Sequence, residues 1–326
     1  MRKLFTVIAL ASCACSPHAA SEPDSPQNAT GDTATVKVSG LVTRASGVNA
    51  EDEAAIHSLQ VLVFNSDGSA DAAGIGSGGG SLSVRVTAGK GKRLWAVANA
   101  PDLCDVPSEE ALLARVSLLT DNSPDSFVMC GSAVLDILEE TAVDISLVRL
   151  VARLGVKKIT RRFDVEGLAA RPLTIKGMYL INVAASLRYD GAADSSLWLN
   201  RSGFSSGGAD ALLSECSLDI RLDNGGSYSV EHNFYCYPNL CEGDSTGGSW
   251  SPRKTRLVLE AELGGKLCYY SVTFPEILRN RTYTIENLTL SGKGSPTPDT
   301  PYGRDTLSAD LTVRDWSDGS SWTERL

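Results

Sequence analysis

Leu10-Ala11-Ser12-Cys13 closes an apolar stretch that begins just after Arg2 and Lys3. A basic start, a short apolar core and small residues before a cysteine form the pattern of a bacterial lipoprotein export signal. Cleavage ahead of Cys13 would make it the mature N-terminus, with its thiol carrying a diacylglycerol. That lipid would tether a soluble chain to a membrane at about 0.8 kcal/mol per buried CH₂. The competing reading is an ordinary signal peptide cut near Ala19-Ala20, with Cys13 discarded. A second reactive point is Thr43-Arg44-Ala45-Ser46-Gly47, which follows a strand-like segment and offers one basic residue to a trypsin-like protease.

Other candidate chemistry is weaker. Six cysteines besides Cys13 and Cys15 would survive maturation: Cys104, Cys130, Cys216, Cys236, Cys241 and Cys268. An exported chain can form disulfides. Proximity within one half of the chain favours Cys104 with Cys130 and two bridges among the other four, although sequence fixes no pairing. Cys236 and Cys241 lack CxxC spacing and a nearby His, so neither a metal nor a cofactor is expected. Gly74-Ile75-Gly76-Ser77-Gly78-Gly79 matches GxGxxG, but a strand-like alternation, Ser81-Leu82-Ser83-Val84-Arg85-Val86, follows it where a phosphate-binding helix would be needed. A flexible hairpin loop is expected there.

Beyond the leader and tether the histidines are His57 and His232, read as surface or strand-edge residues, and no GxSxG elbow is present. Enzymatic activity is not expected. Phe234-Tyr235-Cys236-Tyr237-Pro238-Asn239 reads as a core strand ending in a turn, or alternatively as a surface that stacks a sugar ring. Tyr269-Tyr270, Trp250 and Trp322 carry the same two readings.

The elements that must position these residues are mostly strands. A net charge of −9 with no basic stripe argues against nucleic acid as a partner. No run after the leader approaches the ~18 apolar residues of a membrane span. Residues 1–12 form the signal and 13–33, rich in Ser, Pro, Asp, Asn and Gly, a flexible tether. Strand signals follow at Ala34–Thr43, Ser58–Phe64, Ser81–Thr87 and Arg93–Ala98, each bounded by turn residues. Pro107–Leu119 has helical spacing with an acidic first turn, and Gly207–Ser214 invites a helix. Thr141–Ile159 reads as one long strand crossing between two domains, 34–155 and 156–326. The second half adds Leu173–Val183, Thr255–Leu263, Leu267–Phe274, Thr282–Leu290 and Leu307–Trp316. The expected fold class is all-β, as two antiparallel β-sandwiches.

Two strands stand apart. In Ala34–Thr43, Val36, Val38, Gly40 and Val42 share one face, and the strand lies between the tether and Arg44. In the C-terminal strand, Leu307, Ala309, Leu311 and Val313 share one face. Removing the first strand would open an apolar groove that a strand of another copy could fill, because sheet edges pair through main-chain hydrogen bonds. The alternative is that both are ordinary strands that stay in place.

Several ordered segments give the chain a family likeness. They are Ser58–Phe64 with its Asn-Ser-Asp-Gly turn, Ala96-Val97-Ala98-Asn99-Ala100-Pro101, Met129-Cys130-Gly131, Leu150-Val151-Ala152-Arg153-Leu154 and Leu180-Ile181-Asn182-Val183. Tyr235-Cys236-Tyr237-Pro238-Asn239, Arg279-Asn280-Arg281-Thr282-Tyr283, Gly292-Lys293-Gly294-Ser295 with Pro298-Asp299, and Asp315-Trp316 complete the set. The chain resembles the fimbrillins, the lipoprotein-derived pilins of Bacteroidia that build type V fimbriae. The resemblance implies two tandem transthyretin-like β-sandwiches and transport to the outer membrane with lipid on Cys13. It implies cutting by an arginine-specific protease, mapped to Arg44–Ala45, and loss of Ala34–Thr43. A donor strand would lie in Leu307–Trp316, or extend from there toward Leu326, and the partners would be other copies or other fimbrial subunits. Host or bacterial surface ligands are implied for adhesion. The alternatives within this likeness are a glycan-binding tip subunit and a membrane-retained anchor. The cysteine content departs from the best-known members of the family.

Overall fold

Alternating Val and polar residues build the first strand, β1 (Thr33–Val42), which buries Ala34, Val36 and Val38 and turns Lys37 to solvent. The structure is a computed structural model that describes residues 32–42, 52–194, 196–203, 210–215, 218–245, 248–300, 307–316 and 321–325. The leader with Cys13, the bond between Arg44 and Ala45, and Cys216 lie outside the described residues.

The seven strands β1, β2 (Ser58–Phe64), β3 (Ala70–Ser77), β4 (Ser81–Thr87), β5 (Gly89–Ala98), β7 (Met129–Ile137) and β8 (Thr141–Arg149) form one sheet. Its order is β3-β2-β5-β7-β8-β1-β4. The short β6 (Val116–Leu118) lies apart and pairs with Ser186–Arg188. After a break at Leu150-Val151 the chain enters a second sheet. It contains β9 (Ala152–Val156), β10 (Ile159–Arg161), β12 (His232–Cys236), β15 (Arg281–Leu290), β16 (Leu307–Asp315) and β17 (Ser321–Arg325), with Ser227-Tyr228 beside β10. A third sheet centres on β11 (Leu173–Ile181), followed by β13 (Arg256–Leu263) and β14 (Lys266–Thr273).

The all-β expectation holds. The expectation of wholly antiparallel sheets does not: β1 runs parallel to β8, and β9 and β10 run parallel to β15. Thr141–Ile159 is not one crossing strand either. Leu150 and Val151 are fully buried and the Leu150 N–H turns to the Val128 carbonyl, which breaks the ladder where the chain changes sheets. Sheet membership therefore changes near residue 150, but the core does not divide there. β2 is buried on both faces. Leu59, Val61 and Val63 pack with the first sheet's interior, while Leu62 and Phe64 join the larger core that runs on through Phe234, Tyr237 and Trp316. Two-sided burial explains why Ser58–Phe64 reads as a continuous apolar run.

The GxGxxG segment is resolved by this geometry. Gly74 and Gly76 are strand residues of β3, not a hairpin loop, and β3 and β4 belong to opposite ends of the sheet. A Cβ on Gly74 would stand 3.1 Å from Val84 Cγ2, and one on Gly76 would stand 3.1 Å from Leu82 Cδ1. The glycines thus let the two end strands pack face to face. Asp71 of β3 clasps them: it accepts from Thr87 Oγ1 of β4 at 2.6 Å and pairs with the buried Lys92 of β5 at 2.8 Å.

The Pro107–Leu119 segment folds as a shorter helix than its spacing suggests, α1 (Glu109–Ala114), capped by the Ser108 hydroxyl accepting from Ala111 N–H at 3.1 Å. Val116–Leu118 is drawn into β6 because a partner strand waits there, and tertiary pairing overrides local propensity. Cys104 and Cys130 are both free, which corrects the expected bridge. Cys130 is an inward strand residue whose Sγ lies 2.7 Å from the Tyr189 carbonyl, whereas Cys104 sits half-buried in a turn.

Gly131 of β7 has no room for a side chain, since a Cβ would stand 2.2 Å from the backbone carbonyl oxygen of Ser146 on β8. Gly131→Ala is expected to destabilise the protein by about 1–3 kcal/mol, read as a lowered urea midpoint at unchanged slope.

Candidate functional site

β1 occupies an interior slot. It pairs antiparallel with β4 from Thr33↔Thr87 to Ser39↔Ser81, and parallel with β8 from Val36↔Thr141 to Val42↔Leu147. Val36 and Val38 are fully buried over a floor that includes Leu59, Ile145 and Leu147. Gly40 is the close point: a Cβ there would meet Leu147 Cδ1 at 2.6 Å, and the Gly40 N–H donates to the Gly80 carbonyl at 2.6 Å. Burying a Val side chain is worth about 1.5–3 kcal/mol, so this strand seals a substantial apolar surface.

The strand β16, followed in the chain by β17, is interior as well. It pairs along its length with β15, from Leu290↔Leu307 to Arg281↔Asp315, and on its other side with β17. Leu307, Ala309, Leu311 and Val313 face the core at 7, 2, 0 and 1% exposure. β17 is the edge strand beyond it.

Sequence reasoning missed the residue on which segments from both halves converge. Glu53, in the 3-10 turn Asp52–Ala54 that leads into β2, is buried. Its carboxylate accepts from Arg153 Nη1 at 2.8 Å, from Tyr235 Oη at 2.7 Å and from Trp316 Nε1 at 3.1 Å. Its carbonyl accepts from Arg149 Nε at 2.9 Å. The guanidiniums of Arg149 and Arg153 lie 4.9 and 5.4 Å from the Trp316 ring centroid. Burial pulls the Arg149 guanidinium down to about 10, and burial followed by the Glu53 carboxylate pushes the Tyr235 phenol up. In the sequence Asp52-Glu53 looks like a solvated acidic pair, and no local signal distinguishes it.

The aromatic run Phe234–Tyr237 is core, which overturns the sugar-stacking alternative. Tyr237 is fully buried, and its hydroxyl lies 2.7 Å from Ser117 Oγ, accepts from Asn122 Nδ2 at 3.0 Å and donates to the Leu118 carbonyl. Tyr270 is also buried, donating to the Gly292 carbonyl, while the half-buried Trp250 packs edge-on against Trp198 and donates to Asn182 Oδ1. The Trp322 side chain lies outside the described residues. His57 is exposed just ahead of β2, as expected. His232 opens β12, which pairs with β9, in keeping with a strand-edge place, and there it is buried and hydrogen-bonded to the Tyr228 hydroxyl at 3.0 Å.

Residues 33–134 match the model of a family described as major fimbrial subunit protein (FimA), which bears out the likeness to the fimbrillins read from the sequence. No curated protein matches the chain. Among solved structures, a Bacteroides eggerthii protein to which a role in cell adhesion has been ascribed shares 18% identity at a TM-score of 0.68, over 89% of this chain and 98% of that one. The fimbrilin FimA of Porphyromonas gingivalis shares 13% identity at 0.62, over 87% and 98%. The tip fimbrial protein Mfa3 of the same organism shares 16% at 0.52, over 87% and 100%. At these identities the likeness is one of fold.

Tyr237→Phe leaves the buried Ser117 and Asn122 groups and the Leu118 carbonyl short of a partner. Its expected cost is about 1–3 kcal/mol in denaturant titration, with no change in retention on immobilised glycans.

Proposed function

We propose, on the premise that residues 33–134 carry the sequence of a fimbrial subunit family, that this chain is a structural subunit of a type V fimbrium at the cell surface, polymerising by donor-strand exchange and supporting adhesion. The observation that carries the reading is β1: the first described strand of the chain is an interior strand, immediately followed by the segment that holds Arg44. Taking it away would leave β4 and β8 with unpaired backbone groups facing an apolar floor, and such a slot is filled by another strand.

In this reading Cys13 carries lipid that holds the precursor at the outer membrane. An arginine-specific protease cuts between Arg44 and Ala45, removing tether, lipid and β1 together. The Leu307, Ala309, Leu311 and Val313 row of β16 from another copy then supplies the apolar face that Val36 and Val38 supplied. The sheets on either side of residue 150 support a reading as two tandem transthyretin-like sandwiches, with the first holding the slot and the second holding the donor. The donor must leave β15 and its own core before it can enter a neighbour, so exchange proceeds through a costly opening and the joint, once made, is long-lived.

N-terminal sequencing of surface polymer tests the cut. Ala45 as first residue supports the processed subunit, while a blocked Cys13 supports a retained anchor lipoprotein and overturns the processing step. Arg44→Ala is expected to abolish polymer and leave lipidated monomer, and polymer of normal length from that variant removes Arg44 from the mechanism. A reversible lock tests the donor. Thr289 and Ser308 are cross-strand partners in β15 and β16. Thr289→Cys with Ser308→Cys is expected to block polymerisation when oxidised and restore it on reduction. Equal polymerisation in both redox states would overturn the donor role of β16.

A further inference from the structure

Trp316 follows β16 directly and is 2% exposed. Its backbone N–H donates to the Asn280 carbonyl at 3.1 Å, and Asn280 in turn anchors to the Val151 carbonyl through its own N–H at 2.8 Å. Its indole N–H reaches across the core to Glu53 at 3.1 Å. The ring packs beside the mutually contacting Tyr235 and Phe127 rings, at centroid distances of 6.2 and 5.9 Å, and under two guanidiniums. Glu53 belongs to the turn that leads from the segment after β1 into β2. One buried carboxylate thus joins the turn ahead of β2 to the far end of β16.

The other fixings described for β16 are of an ordinary kind: backbone ladders to β15 and β17, an apolar row, and a half-exposed ion pair between Arg281 and Asp315 at 3.2 Å. Surface pairs of that sort contribute little. The Glu53 contact differs because a buried charge cannot give up a donor without cost. Moving Trp316 out would remove a charge-assisted bond from the carboxylate and two cation–π contacts from Arg149 and Arg153 in the same step.

The geometry points to Glu53 and Trp316 as a latch that holds β16 in its own sheet and sets how readily that strand is released to a second copy of this chain. β17 pairs with the other flank of β16 and can travel with it, so opening the β15 flank of β16 from its C-terminal end begins beside Trp316, where the latch lies. The inference rests on the donor-strand reading for its consequence in assembly, while the latch itself is a property of the monomer.

Amide hydrogen exchange on the full-length monomer tests the latch without reference to polymer. Trp316→Phe keeps an aromatic ring and removes the indole donor; Glu53→Gln keeps the shape and removes the charge. Each is expected to raise exchange across Leu307–Asp315 about tenfold or more, with β2 and β5 unchanged. The double variant is expected to exceed the larger single effect by less than the product of the two. Unchanged exchange in β16, an equal rise in every strand, or fully multiplicative effects would each overturn the latch. Once the proteolysed proteins are mixed, faster polymer growth in the variants supports both readings. Faster opening of β16 with no polymer from any form, wild type included, keeps the latch and removes strand exchange.

Discussion

An interior strand cannot simply be absent. Along β1 the main chain satisfies donors and acceptors on β4 and on β8, and its Val side chains close a floor shared with β2. Buried backbone groups without partners cost as much as lost hydrogen bonds, so the sheet requires some strand in that position at all times. The rest of the architecture follows this requirement. The sheet is clasped at its ends by Asp71 and packed tight by the β3 glycines, so it cannot close over a missing member by sliding.

A second constraint acts within each half and, at Glu53, across them. Several of the segments that give the chain its family likeness place a polar anchor in apolar surroundings, among them Asn99, Asn182, Arg153 and Trp316. Asn99, in left-handed conformation at φ 58°, donates to the Ala55 and Phe127 carbonyls and accepts from His57 and Ser58 N–H. Asn182, at φ 55°, donates to Asp299, which also binds the buried Arg253 and Arg256. Arg153 and Trp316 meet at Glu53. Each is satisfied by several partners from distant parts of the chain, which is the condition under which a buried polar group specifies one arrangement.

Strand by strand, much of the fold was legible. Ser58–Phe64 and Ser81–Thr87 coincide with β2 and β4, and the alternations of β1 and β16 put the expected residues inside. Period-2 patterning reports which face is buried, and burial is what the pattern encodes. Pairing partners and direction were not legible, because parallel and antiparallel neighbours impose the same alternation. Thr141–Ile159 reads as continuous because the buried, apolar Leu150-Val151 joins β8 to β9 with no turn residue between them, and hydropathy does not register a change of sheet. Glu53 was invisible for the opposite reason: its partners lie at Arg153, Tyr235 and Trp316, and nothing within its own turn marks it.

The slot held by β1 has an unusual symmetry of hydrogen bonding. With β4 antiparallel on one side and β8 parallel on the other, a strand inserted in either direction finds one neighbour of each kind. The backbone ladder therefore has almost no say in orientation, since the small energetic difference between the two pairings cancels. Direction and register fall to relief on the floor, where Leu147 rises beneath Gly40 and leaves least room for a side chain. A single leucine thus acts as the keying pin of an otherwise reversible socket.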